Sequence, residues 1–277
     1  MADQRCMATA LQTMPAADGR LPTVVLGGVP VARLGVESTL SLMGTWLEDK
    51  LGTRRVATAN LDFLEIAQHD DALQHCLATA DIVTADGEPL IWLSRLRGQP
   101  IPERVAGADF VPLLVGEAAQ RGKSVYFLGG ADGVAEEAIE VLRKDYPELV
   151  VAGSSEPFLD MEDAGACRQV ALEVAASGAD LVLVAFGCPK QDFFIERYID
   201  LMGCRVAVGV GGTFNFIAGR IKRAPEFLRR SGFEWVHRLA MEPRRLVMRY
   251  WRDGVCFLKL VVRILLERAF NLTSLLQ

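Results

Sequence analysis

In LVLVAFGCPKQ, residues 181–191, six apolar residues run unbroken and then stop at a glycine. A strand with one wet face alternates apolar and polar residues, so a run that is apolar on both faces belongs to a sheet covered on both sides. The helix-length stretch 190–202 that follows completes a strand–turn–helix unit. SVYFLGGADG at 124–133 repeats the arrangement, with a helical pattern over 133–145. Working outward, the spacing predicts strands at Thr23–Leu26, Arg55–Thr58, Ile82–Ala85, Ser124–Leu128, Leu149–Ala152, Leu181–Phe186 and Arg205–Gly209. Helical patterns fall near 37–50, 62–79, 88–97, 108–121, 133–145, 163–177 and 190–202. Such alternation builds an α/β fold, a mostly parallel sheet with helices on both faces.

The pattern changes after Gly219. Residues 220–277 are helical in pattern and rich in large apolar residues, and they carry 13 Lys/Arg against 5 Asp/Glu, a net of +8. Residues 1–219 carry 17 against 30, a net of −13, so the overall charge of −5 hides an acidic body with a basic tail. Such a tail suits an anionic partner. Pro225 and Pro243 each fit the first turn of a helix. The expected organisation is a flexible leader at 1–20, an α/β domain at 21–219 and a basic amphipathic helical appendage at 220–277.

Over its 277 residues the chain is 51% hydrophobic and 23% charged, which excludes a disordered or collagen-like protein. The acidic balance argues against a nucleic-acid binder. Six scattered cysteines without a C-x-x-C pair read as reduced thiols of a cytoplasmic protein. Three histidines in unrelated contexts make no zinc site. The first twenty residues lack the apolar core of a secretory signal, and no apolar run reaches the roughly 18–20 residues that span a bilayer.

Ligands of open α/β sheets bind at the carboxyl ends of the strands. Four predicted ends run into unusual turns: Asp86-Gly87, Gly129-Gly130-Ala131-Asp132-Gly133, Gly187-Cys188-Pro189-Lys190-Gln191 and Val210-Gly211-Gly212-Thr213-Phe214-Asn215. Glycine lets the backbone approach a ligand, and the next helix offers unpaired N–H groups to an anion. Four such turns in one chain favour a nucleotide or phosphate ligand. The dinucleotide fingerprint G-x-G-x-x-G is off pattern at both glycine-rich turns, and the Walker and serine-hydrolase motifs are absent. No D-x-D sets two carboxylates on a divalent metal. A diphosphate bound without metal needs helix N-termini and Arg or Lys, which the tail supplies. Thr58, Asn60 and Asp86 close neighbouring strands, Asn60 and Asp86 being equally readable as turn and N-cap residues.

An ordered set of short motifs carries a resemblance. V-A-T-A-N at 56–60, T-A-D-G at 84–87, F-L-G-G at 127–130, F-G-C-P-K-Q at 186–191 and G-V-G-G-T-F-N-F at 209–216 are followed by R-A-P-E-F at 223–227, E-W-V-H-R-L at 234–239 and E-P-R-R-L at 242–246. Together they resemble the WecG/TagA/CpsF glycosyltransferases from about residue 23 to 250. The resemblance implies a Rossmann-like transferase that moves a sugar from a UDP-sugar to a polyprenyl-pyrophosphate-linked saccharide at the cytoplasmic membrane face. It also implies inversion at the anomeric centre, no divalent metal and no other cofactor. By resemblance Asp86 is the base, Thr58 and Asn60 are active-site residues, and Gln191 is the glutamine of the G-x-P-x-Q motif, whose Gly187 and Pro189 share the substrate-binding expectation. Gly129, Gly130 and Gly211 join them as backbone approaches to the substrate. Asn215 stands where relatives often carry an aspartate near the uridine. Arg238 and Arg245 match the appendage arginines expected near the pyrophosphate.

Two other readings compete. A nicotinamide-dependent oxidoreductase predicts a fingerprint that is missing. A non-catalytic nucleotide-binding module predicts UDP binding without turnover. In VCFLKLVVRILLERAF at 255–270, Lys259, Arg263 and Glu267 share one helical face and apolar residues fill the others. Such a helix docks on protein or lies in a membrane interface, and its apolar surface invites homo-oligomer formation or membrane contact. The basic charge and the lipid-linked substrate favour the inner face of the membrane.

Overall fold

The computed structural model describes residues 21–49, 52–230 and 232–274. The expected leader at 1–20 lies outside the described residues. The chain opens with a hairpin of β1 (Thr23–Leu26) and β2 (Val29–Ala32), antiparallel and turned by Gly27 and Gly28. Both glycines have positive φ, as a two-residue hairpin turn requires. The sequence reading placed Thr23–Leu26 among the sheet strands; it belongs instead to this separate two-stranded sheet.

The main sheet is six-stranded and wholly parallel. Its strands are β3 (Arg54–Ala59), β4 (Ile82–Ala85), β5 (Ser124–Gly129), β6 (Val150–Ser155), β7 (Leu181–Ala185) and β8 (Val206–Gly209), in the order β4-β3-β8-β7-β5-β6. Between β2 and β3 lies α1 (Val36–Glu48). Between β3 and β4 come α2 (Leu61–Ala67) and α3 (Asp71–Ala78), where the spacing predicted one helix. Asp70 breaks that run, because its carboxylate caps α3 by accepting from the Leu73 N–H at 3.0 Å. Then follow α4 (Glu88–Leu96), α5 (Gly107–Gln120), α6 (Val134–Asp145), α7 (Ala164–Ser177) and α8 (Lys190–Met202).

Alternate residues of one strand enter different cores, which is why the strands read as continuous apolar runs. Val125 and Phe127 of β5 pack with Phe110, Leu114, Ala135 and Ala138 under α5 and α6. Tyr126 and Leu128 pack with Cys167, Val174, Phe194 and Ile195 under α7 and α8. A third core joins Ala57, Ala59, Val83 and Ala85 to the hairpin and to α2, α3 and α4.

After β8 come α9 (Thr213–Ile217), α10 (Glu226–Arg230), α11 (Glu234–Met241) and α12 (Pro243–Ser274). Pro225 directly precedes α10 and Pro243 opens α12, both where a missing N–H costs nothing. At 32 residues α12 extends about 48 Å. It packs against α2 and α4 and sends Cys256, Leu260 and Ile264 into the third core. The opposite side leaves Leu258, Val262, Leu265, Leu266 and Phe270 exposed. Among the described residues, no helix is long and apolar enough to cross a membrane.

Candidate active site

Parallel strands deliver all their carboxyl ends to one edge, and the register sets which ends meet. Thr58 pairs with Thr84 and Ala59 with Ala85, so Asn60 and Asp86 emerge side by side. The Asp86 N–H donates to the Ala59 carbonyl at 2.8 Å. The Val105 N–H donates to the Ala85 carbonyl at 2.9 Å, which holds the 104–107 loop along β4 and over Asp86. Gly107 gives its N–H to the Asp86 carboxylate. A Cβ on Gly107 would lie 2.7 Å from Thr213 Oγ1 and 3.6 Å from Asp86 Oδ2, so no larger residue fits between them.

Burial pushes the Asp86 carboxyl up to about 7, with Glu234 adding to the rise. Arg104, the Gly107 N–H and Arg238 oppose it. The Asp86 environment therefore comes partly from the C-terminal helices. Arg104 pairs with Glu234 at 2.9 Å, Arg223 pairs with Glu234 at 3.2 Å, and Arg223 pairs with Asp109 at 2.8 Å. This network ties α11 to the 104–109 segment beside the carboxyl. Arg238 lies over the Phe216 ring, 5.2 Å from its centroid, and its Nε is buried without a hydrogen-bond partner.

The other residues singled out in the sequence fall into distinct places. The Thr58 hydroxyl is buried and donates to the Gly209 carbonyl at 2.7 Å, a link from β3 to β8. Asn60 caps α2, with Oδ1 accepting from the N–H groups of Asp62 (3.0 Å) and Phe63 (3.3 Å). Gln191 is 1% exposed. Its Oε1 accepts from the Gly211 N–H at 2.9 Å, while its Nε2 has no partner. A buried donor left unpaired is costly, and a ligand at the strand ends would satisfy it. Gly187 and Pro189 shape the turn before α8, with a cis peptide at Cys188-Pro189. Asn215 lies on α9, which packs on α5 and α6. Arg245 pairs with Glu242 at 2.5 Å, with its side chain more than half exposed.

Gly129 and Gly130 hold φ of +90° and +95°, a region that favours glycine. The helix N-terminus beyond them is not open to an anion, because Glu156 occupies it. Glu156 Oε2 accepts from the Gly133 N–H at 2.8 Å and Oε1 from the Ala135 N–H at 2.9 Å. Cys188 shares a hydrogen bond with Asp192, and burial pushes its thiol up, so it is no ready nucleophile. Among the described residues, no three His, Cys, Asp or Glu side chains are grouped to hold a metal ion.

Asp86 thus stands half-buried at the strand ends of a parallel sheet, with Arg104 and Arg238 acting on its carboxyl. The chain belongs to the glycosyl transferase WecG/TagA/CpsF family, whose pattern it matches over residues 24–271. It is a glycosyltransferase, and the oxidoreductase and non-catalytic readings are not favoured. It is 36% identical over 221 residues, 80% of this chain and 82% of the relative, to an N-acetylglucosaminyldiphosphoundecaprenol N-acetyl-beta-D-mannosaminyltransferase of Bacillus spizizenii. A protein of the same name from Bacillus subtilis is 26% identical over 248 residues, 89% of this chain and 93% of the relative.

Proposed function

We propose that the chain transfers an N-acetylmannosamine-type sugar from its UDP derivative to a GlcNAc-diphospho-polyprenol, with inversion and without a metal ion. The names of the relatives support the acceptor and the β product. An α-linked nucleotide donor yields a β product through one in-line displacement. The observation that carries the reading is the placement of Asp86 at the end of β4, beside Asn60 and next to Gly107 and Thr213, where burial raises its carboxyl to about 7. A base with a pKa near the working pH suits removal of the acceptor's hydroxyl proton as the new bond to C1 forms. The leaving UDP gains negative charge. Arg238 supplies a cationic group for it, near the turn that follows β8. The unpaired Gln191 amide is a donor for the diphosphate or the sugar. Thr58 and Asn60 act by holding β3, β8 and α2 in place around the acceptor.

The test is acceptor-dependent UDP release from a panel of UDP-sugars in EDTA, with a short-chain GlcNAc-diphospho-polyprenol. Release with UDP-N-acetylmannosamine alone is expected. Release only after a divalent ion is added back would overturn the metal-independent step.

The same reading brings the enzyme to the inner face of the membrane through α12. Its solvent side carries Leu258, Val262, Leu266 and Phe270 beside Lys259 and Arg263. Anionic lipids attract such a surface at about 1 kcal/mol per basic residue. The double variant Leu258→Glu/Leu266→Glu should lose binding to vesicles of anionic lipid while still turning over a short-chain acceptor. Undiminished vesicle binding would remove this face as the anchor.

A further inference from the structure

From β5 the chain runs outward through α6 to the edge strand β6, and from β7 it runs the other way through α8 to β8. The crevice between β5 and β7 is therefore where the strand order reverses, the position at which open α/β sheets bind ligands. Three segments converge there. A Cβ built on Gly130 would lie 2.5 Å from Val134 Cγ1, 3.5 Å from Glu156 Oε1 and 3.7 Å from Phe214 Cδ2. The glycine turn after β5, the residue that follows β6 and the helix after β8 thus share one small space.

Glu156 is the carboxylate in that space, and both its oxygens are fixed by the N–H groups of Gly133 and Ala135; Arg220, paired with Glu137, is held against the same turn by the Ala131 and Asp132 carbonyls. A carboxylate oxygen accepts two hydrogen bonds, so each keeps a lone pair after these contacts. A second anion at α6 would meet like-charge repulsion from the carboxylate already there. The N–H groups that a phosphate would use at this turn are taken by Glu156, whereas a pair of hydroxyls is matched by its free lone pairs. In βαβ units that bind nucleotides, an acid at the end of the second strand accepts the ribose hydroxyls. β5, α6, β6 and Glu156 form such a unit, with the acid one residue past the strand.

We infer that Glu156 reads the ribose of the nucleotide donor by accepting from its 2′ and 3′ hydroxyls. The inference rests on the UDP-sugar reading above. It also orients the donor. The nucleoside sits at β5 and β6, the diphosphate over the 210–213 turn, and the sugar toward Asp86. The strand ends of β5 and β4 are four spacings apart, about 19 Å, which leaves the donor to lie across them.

Calorimetric titration of UDP and of 2′,3′-dideoxy-UDP into the full-length protein and its Glu156→Gln variant tests this. Wild type should bind dideoxy-UDP about 10-fold to 100-fold more weakly than UDP, as loss of hydrogen bonds to a charged acceptor requires. Glu156→Gln should weaken UDP by a similar factor and leave dideoxy-UDP within about twofold. A Glu156 that only caps α6 would give equal loss for both ligands in the variant, and that result overturns the inference. Equal affinity of wild type for the two ligands overturns it whether or not the variant folds, and leaves the donor reading standing. Wild type that binds no UDP overturns the donor reading and this inference with it.

Discussion

The Asp86→Asn enzyme should transfer sugar about 10²–10⁴-fold more slowly than wild type while binding UDP with unchanged affinity. Asparagine keeps the size of the side chain and can still meet the Gly107 N–H, but it cannot accept a proton. The pH profile supplies a second readout. Wild-type kcat/KM should rise with pH through about 7, as the carboxyl ionises into its basic form. The residual activity of the variant should lack that limb. Stability should move the opposite way. The folded-state pKa lies above the unfolded value, so the folded chain holds a proton that the unfolded chain has lost. The stabilisation is complete below about 4 and is lost as pH rises through about 7. Asp192 and Asp253, also raised to about 7 mainly by burial, add to the same slope. Asp86→Asn should therefore be the more stable protein at pH 8 in chemical denaturation, and the less active one. A variant with wild-type turnover would remove Asp86 from the reaction.

The sequence exposed the sheet because its strands are buried on both faces, and such runs need no partner to be recognised. It exposed less where local preference and tertiary pairing disagree. Val29–Ala32 contains Pro30 and was passed over, although two apolar runs separated by Gly27-Gly28 are a hairpin signal. β6 was ended at Ala152, because Gly153, Ser154 and Ser155 favour turns over strands, whereas pairing with Phe127 and Leu128 extends it. Glu156 stands one residue past that extended strand, and no motif or spacing marks it. Asn60 and Asp86 were legible as strand-end residues, and the register places them together. Arg104 and Glu234 are 130 residues apart, and no spacing rule joins them. The motif puts Arg245 among the appendage arginines, and its guanidinium is held by Glu242, one turn away, a pairing that the motif does not foretell. Motif order reflects the order of strands and turns, while long side chains are settled by their ion-pair partners.

Leu260→Ala should destabilise the protein by about 2–4 kcal/mol, and Leu258→Ala by no more than about 0.5 kcal/mol. Both residues lie on α12, two positions apart, in a stretch that reads as apolar nearly all round. Leu260 is 3% exposed and Leu258 is 64% exposed. Cys256, Leu260 and Ile264 recur every fourth residue and so form one stripe, which closes over Leu64, Leu90 and Val24 in the third core. Asp in place of Leu260 should do more harm than Ala, since it buries an unpaired charge. The charged residues beside the stripe reinforce its direction: Glu267 pairs with Arg97 of the α/β body at 2.7 Å, and Arg268 donates to the Leu96 carbonyl at 2.8 Å. Removing 220–277 would therefore open the core under α2 and α4, and a truncated chain that fails to bind vesicles would show only that it had unfolded. Single substitutions keep the two faces separate. Equal losses for Leu260→Ala and Leu258→Ala in urea denaturation would mean that α12 does not dock as described. A large loss for the first alone would make the helix part of the folded core, with its other face free for the membrane.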